Sequence, residues 1–130
     1  MANSLATQIL VDGARNAIVK VVGNVDTSDY SPTDIVVPSD FTPTPTTFAI
    51  DRLIYAVEDG ITVRLWWDAT TDVYIVTLDG TTTMDFRRFG GLQNNAAASG
   101  FTGKIQLSTE GYTSGTQAFT VVLEMSKIGV

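Results

Sequence analysis

The fold is decided most clearly by residues 118–127, Ala-Phe-Thr-Val-Val-Leu-Glu-Met-Ser-Lys. Side chains on one face of this stretch are all apolar, whereas Thr120 and Glu124 point the other way, with Val122 as the one apolar exception among them. Successive side chains of a β-strand lie on opposite faces. The period of two therefore predicts a strand with one buried face. The predicted buried residues are Phe119, Val121, Leu123 and Met125.

Eight further segments carry patterns typical of strands. They span residues 7–11, 16–22, 34–37, 48–58, 61–68, 72–78, 84–89 and 104–109. Thr occurs 19 times, β-branched and aromatic residues are frequent, and no segment has the apolar period of an amphipathic helix. The sequence therefore predicts an all-β fold, a single antiparallel β-sandwich or jelly-roll-like domain over residues 1–130 with about eight to nine strands. Further predicted core residues are Leu65, Trp67, Ile105 and Leu107.

The connections between the predicted strands are marked by Gly and Pro. Asp59-Gly60 lies directly between two strong strands and predicts a hairpin turn, because glycine accepts the positive φ that such turns need. Residues 39–47 contain two prolines, which cannot donate to a strand ladder, so this stretch predicts an extended crossover. Residues 92–101 are rich in small side chains and predict a surface loop.

The composition excludes several classes of function. The chain carries 14 acidic and 8 basic residues, a net charge of −6, and it contains no His and no Cys. Without imidazoles and thiols there is no Ser–His triad, no cysteine nucleophile, no His or Cys zinc site and no disulfide. An acidic chain without a basic patch predicts neither nucleic acid nor an anionic membrane as a partner. No apolar run approaches the roughly 20 residues of a membrane-spanning helix.

Carboxylates supply the remaining candidate chemistry. Residues 26–34 hold three Asp side chains near hydroxyl groups, which suits a hard cation such as Ca²⁺. Their spacing matches no calcium loop and suits an Asx turn equally well. A glycosidase needs two carboxyl groups in a cleft. The carboxylates open to such a pair are Asp51, Glu58, Asp59, Asp68, Asp85, Glu110 and Glu124. No pattern singles out two of them, so the sequence predicts no enzyme activity, no metal site and no cofactor.

Trp66-Trp67 and Arg87-Arg88 are two pairs of large residues that are adjacent in the sequence. Because neighbouring residues of a strand point to opposite faces, each pair is predicted to have one residue on each face of its strand. Trp67 continues an apolar row and belongs in the core, which leaves Trp66 on the other face. There an aromatic ring packs under a loop, anchors a protein interface or stacks on a sugar. Arg87 and Arg88 are predicted to split across their strand in the same way, one of them beside a carboxylate such as that of Asp85.

Two stretches carry a resemblance to a known class of proteins. Residues 9–20, Ile-Leu-Val-Asp-Gly-Ala-Arg-Asn-Ala-Ile-Val-Lys, and residues 89–95, Phe-Gly-Gly-Leu-Gln-Asn-Asn, resemble small virion structural proteins encoded by tailed bacteriophages. Shorter elements, including residues 65–70 and 119–127, extend the resemblance over nearly the whole chain. Proteins of this size in phage heads are often jelly-roll or β-barrel decoration proteins, also called cement proteins, that clamp neighbouring capsid subunits.

The resemblance implies a specific role and location. It implies a non-enzymatic decoration protein made in the host cytoplasm and bound to the outer surface of the phage head. Its partners would be the major capsid protein and further copies of itself, as a dimer or a trimer. The alternatives are a tail or baseplate component and a carbohydrate-binding β-sandwich module that uses Trp66.

The loop that carries the most specific part of the resemblance also predicts a contact surface. Two glycines permit close backbone approach, Leu92 offers an apolar tip, and the consecutive amides can pair with a neighbouring subunit. The alternative is a tight turn whose Leu92 folds back onto the core of its own domain. The predicted interface residues are Trp66, Phe89, Leu92, Gln93, Asn94 and Asn95.

Overall fold

Nine β-strands make up the fold in a computed structural model that describes residues 3–93 and 99–130. The strands are β1 (Ser4–Asp12), β2 (Asn16–Val25), β3 (Thr33–Val36), β4 (Thr47–Val57), β5 (Thr62–Trp67), β6 (Val73–Leu78), β7 (Thr81–Asp85), β8 (Ile105–Glu110) and β9 (Gln117–Ile128). Two single 3-10 turns, Pro38–Asp40 and Arg87–Phe89, are the only helical segments in the described part of the chain. None of the described helical segments is long and apolar enough to cross a membrane.

The strands form two antiparallel sheets. One has the order β1-β2-β9-β4-β7 and the other the order β3-β8-β5-β6. The pairings are nested, because β2 pairs with β9, β3 with β8, β4 with β7 and β5 with β6. Nested pairing of this kind arises when the two halves of the chain run antiparallel to each other and successive strand pairs fall alternately in the two sheets. This arrangement is the jelly-roll topology. The predicted all-β sandwich is confirmed, and β1 is an additional strand at the edge beside β2.

The core lies between the two sheets. All eight core residues predicted from the alternating patterns are buried, none of them more than 3% exposed. Leu123 of β9 stands in register with Val19 of β2 and Leu53 of β4, so three aliphatic side chains meet in the middle of the five-stranded sheet. The same alternation continues to Lys127, whose side chain is buried as well.

Two local predictions are wrong. The predicted strand over residues 84–89 ends at Asp85, and Arg87–Phe89 forms a 3-10 turn instead, because the chain turns away from the sheet there. Asp59-Gly60 is a turn, with Gly60 at φ 104°, but not a hairpin. It carries the chain from β4 in one sheet to β5 in the other, since both neighbours of β4 in its own sheet are already β9 and β7. The proline-containing stretch crosses between the sheets as predicted, but it is not extended throughout, because the 3-10 turn Pro38–Asp40 overlaps its start and bends follow at residues 41–43.

Candidate protein-interaction site

The most exposed large apolar side chain among the described residues belongs to Phe89, at 66% exposure. It lies in a turn over residues 85–93, which we call the Phe89 turn. Among the described aromatic rings, that of Phe86 in the same turn is paired with it, at 6.2 Å between ring centroids. A protruding aromatic side chain on a structured turn is typical of a residue that anchors a protein interface.

A short salt bridge braces the start of the Phe89 turn. Asp85 Oδ1 accepts hydrogen bonds from the backbone N–H of Arg87 at 2.9 Å and from its Nε at 3.0 Å. These bonds lower the pKa of Asp85 from its ordinary value of 3.8 to about 2. The predicted carboxylate partner of an arginine is therefore Asp85, but Arg87 and Arg88 do not divide between two faces of a strand, because they stand in the 3-10 turn.

Glycines shape the middle of the turn. Gly90 closes the 3-10 turn in the left-handed conformation, with φ 84° and ψ 13°. Gly91 has φ 92°, and a Cβ there would lie 2.9 Å from Oδ1 of Asp51. The Gly-Gly pair is thus required by backbone conformation at both positions and by close approach at the second.

A backbone bridge holds the end of the turn against the sheet. The N–H of Leu92 donates to the carbonyl of Ile50 at 2.8 Å, and the N–H of Ile50 donates to the carbonyl of Leu92 at 2.9 Å. The Leu92 side chain is partly buried against the core. Leu92 therefore packs on its own domain, as in the alternative interpretation of this loop, and the apolar tip is Phe89. Gln93 is exposed, whereas Asn94 and Asn95 lie outside the described residues.

Trp66 lies on a different surface, the outer face of the four-stranded sheet. Its indole Nε1 donates to Ser108 Oγ at 2.8 Å, and the residue is half-buried. Its ring centroid lies 4.9 Å from that of Tyr74 on β6, with 50° between the ring planes. The guanidinium carbon of Arg64 is 5.6 Å from the Tyr74 centroid. Trp67 is buried at 3% exposure, so the predicted division of the two tryptophans is confirmed.

The exposed aromatic of this second surface is therefore Tyr74, at 45% exposure, rather than Trp66. No sequence pattern singles out Tyr74, although it lies in a segment predicted to be a strand. Which outer-face residue stands beside Trp66 depends on a register shift between Leu65 and Trp66 in the β5–β6 pairing, and no local pattern specifies that shift. The structure does not bring Trp66 into contact with Phe89 in any described ring pair.

Most of the candidate carboxylates have structural partners. Asp29 accepts from Thr109 Oγ1 at 3.0 Å and from the backbone N–H of Tyr112 at 3.2 Å, so it ties the β2–β3 connection to the end of β8. Five of the carboxylates considered for a glycosidase pair are also engaged: Asp51 with Ser126, Asp85 with Arg87, Glu124 with Arg52, Glu110 with Arg64 and Asp68 with Thr102. Within residues 3–93 and 99–130, no three His, Cys, Asp or Glu side chains are placed to hold a metal ion.

Comparison with models of known protein families found no match, and comparison with curated proteins found none either.

Proposed function

We propose that the protein is a non-enzymatic decoration protein of a tailed-phage head, which binds the outside of the major capsid shell and bridges neighbouring subunits. The proposal includes association with further copies of itself. It starts from the resemblance carried by residues 9–20 and 89–95. The jelly-roll topology is compatible with it, because this architecture is widespread in viral capsid proteins.

The observation that carries the proposal is the construction of the Phe89 turn. An aromatic side chain that is 66% exposed is held out by a turn fixed at both ends, by Asp85–Arg87 and by the Leu92–Ile50 bridge. A rigid aromatic anchor loses little conformational entropy when it enters a pocket on a partner. Several such anchors on linked copies would act multivalently, so each contact can be individually modest.

A tail or baseplate role would use the same turn, and a carbohydrate-binding role would use the second surface. For the latter, Trp66 and Tyr74 lie beside each other on an open sheet face. Their rings are tilted by 50° and the Trp66 N–H is already occupied by Ser108, so they do not form one flat stacking platform. We therefore place the decoration role first.

Mixing the purified protein with expanded, DNA-free phage shells tests the proposal. We expect saturable attachment in a fixed ratio to the capsid subunits. Attachment to purified tails and not to heads would support the tail role instead. Binding to a polysaccharide array that disappears in Trp66→Ala, without attachment to shells, would support the carbohydrate-binding role.

A further inference from the structure

The outer edge of β1 is an open strand edge. β1 spans nine residues and pairs only with β2, and no other described residue pairs with its second side. A strand paired on one side leaves alternate backbone N–H and C=O groups directed to the open side. The side chains of β1 are also accessible to solvent, since every residue of the strand except the half-buried Leu5 is exposed. Ile9, Leu10 and Val11 are each 42% to 46% exposed.

Both ends of this open strand are anchored. At its start, Asn3 Oδ1 accepts from the backbone N–H groups of Asp26 and Thr27 at 2.7 and 2.9 Å. At its end, Asp12 binds Lys127 Nζ at 2.7 Å and accepts from the backbone N–H of Thr42 at 3.1 Å. The strand is thus held in an extended conformation although it adds little to the core, and a pre-organised edge loses little entropy when it pairs.

The three other sheet edges carry features that discourage pairing. β3 has four residues and includes Asp34, which is bonded to Gln106. β7 has five residues and ends in the Asp85–Arg87 salt bridge. β6 has six residues, contains a register shift and stands between Asp72 and Asp79. Short length, charge and irregularity are the usual protections of an edge strand.

β1 has almost none of these protections. It contains no charged residue before Asp12 and no proline. Its one irregularity is a register shift between Ile9 and Val11, so the stretch from Ser4 to Ile9 remains in regular register. This contrast with the other edges singles out β1 as the edge available to a partner strand.

The charges near β1 permit a second copy of the chain as its partner. The chain has a net charge of −6, so two copies repel each other across most approaches. An antiparallel pairing of two β1 strands brings only uncharged residues together. The two Asp12 carboxylates fall at opposite ends of the joined strands, and each is already paired with Lys127 of its own chain.

We propose that the β1 edge is the surface through which two copies of this chain associate, by antiparallel pairing of their β1 strands around a two-fold axis. The inference rests on the self-association in the proposed function and assigns it to one surface. Pairing centred on Thr7 sets Leu5 of each copy opposite Ile9 of the other and joins the two five-stranded sheets into one of about ten strands. Because such an edge contact is isologous and closes on itself, it gives a dimer and not a trimer.

Sedimentation velocity on the purified chain, over a range of protein concentrations, tests the proposal with a matched pair of variants. Ile9→Lys places a charge on the β1 edge, and Ile54→Lys places the same charge at a side chain of similar exposure, 42% against 39%, on β4 inside the same sheet. We expect a dimer for the wild-type chain, an increase of about tenfold or more in the dissociation constant for Ile9→Lys, and no change for Ile54→Lys. A monomer at every concentration, a trimer, or dissociation caused only by Ile54→Lys would overturn the proposal.

Hydrogen exchange on the wild-type chain keeps the test independent of variant folding. The amides of residues 4–12 should exchange more slowly at concentrations where the dimer forms, while the amides of β7 should not change. Protection that is independent of concentration would contradict pairing at this edge. Attachment to phage shells is a separate readout, so its failure bears on the proposed function and leaves the dimer contact standing.

Discussion

Nζ of Lys127 lies 2.7 Å from Oδ1 of Asp12, a residue 115 positions away at the end of the first strand. The Lys127 side chain is fully buried, whereas that of Asp12 is 30% exposed. Nζ also donates to the carbonyl of Pro43 at 3.0 Å and lies 5.7 Å from the ring centroid of Phe41. This one ammonium group therefore connects β1, the β3–β4 crossover and β9.

Removing the two partners should have unequal effects. Asp12→Ala leaves a fully buried ammonium without its counter-ion, so we expect a clear loss of stability. Lys127→Met keeps the apolar stem and leaves a carboxylate that water reaches, so we expect a change of about 1 kcal/mol or less. Chemical denaturation of both variants measures the free energies of unfolding. An equal effect, or a larger effect for Lys127→Met, would contradict this description of the pair.

The same salt bridge should make stability depend on pH in the acidic range. Its hydrogen bond to Lys127 lowers the pKa of Asp12 below the ordinary 3.8, and the Arg87 bonds lower that of Asp85 to about 2. In this range the unfolded chain binds more protons than the folded chain, so stability rises with pH. The contribution is complete above about pH 5 and is lost progressively as pH falls to 2 and below. Chemical denaturation at a series of pH values from 2 to 6 measures the free energy of unfolding at each pH. This free energy should rise less steeply with pH in the double variant Asp12→Asn, Asp85→Asn than in the wild type.

Adjacent residues on β9 should respond very differently to truncation. Leu123 is fully buried between β2 and β4, so Leu123→Ala should cost about 2 to 5 kcal/mol of unfolding free energy. Val122 lies on the outer face, where Val122→Ala should cost about 1 kcal/mol or less. Similar unfolding midpoints for the two variants would show that the faces of β9 are assigned incorrectly.

The Phe89 turn should tolerate loss of its aromatic side chain without loss of fold. Phe89→Ser removes a ring that is 66% exposed, so the unfolding midpoint should change little while attachment to shells weakens by about tenfold or more. Leu92→Ser is the matched control, because Leu92 packs against the core and its loss should lower stability. If the Phe89→Ser variant attaches to shells as strongly as the wild type, the Phe89 turn does not form the capsid contact.

The sequence predicts the parts of the fold that depend on residues close together in the chain, and not the parts that depend on residues far apart. Alternation along β9 depends only on residues two positions apart, and it identified the strand and its core face. The same alternation places Lys127 on the buried face, although the pattern gives no reason to expect a lysine to be buried there. The partner Asp12 depends on how the first and last strands meet, which no local pattern encodes.

In the candidate site, too, local sequence patterns do not predict contacts between residues far apart in the chain. The Gly-Gly pair correctly indicated close backbone approach, because its conformational demand is local. Whether Leu92 or Phe89 forms the tip depends on the backbone bridge to Ile50, about 40 residues earlier in the chain. The exposure of β1 is likewise a property of the assembled sheet, in which the alternating core stops at β2.

The proposed decoration role is tested most directly by measuring how many copies of the protein an intact, DNA-free phage shell holds at saturation. Quantitative binding followed by electron cryo-microscopy of the decorated shells gives both the number and the location of the copies. A decoration protein should saturate the shell at a fixed ratio to the capsid subunits, with Phe89 at the contact and the copies on the outer surface. Absence of saturable binding to shells, together with binding to tails or to a polysaccharide, would contradict it.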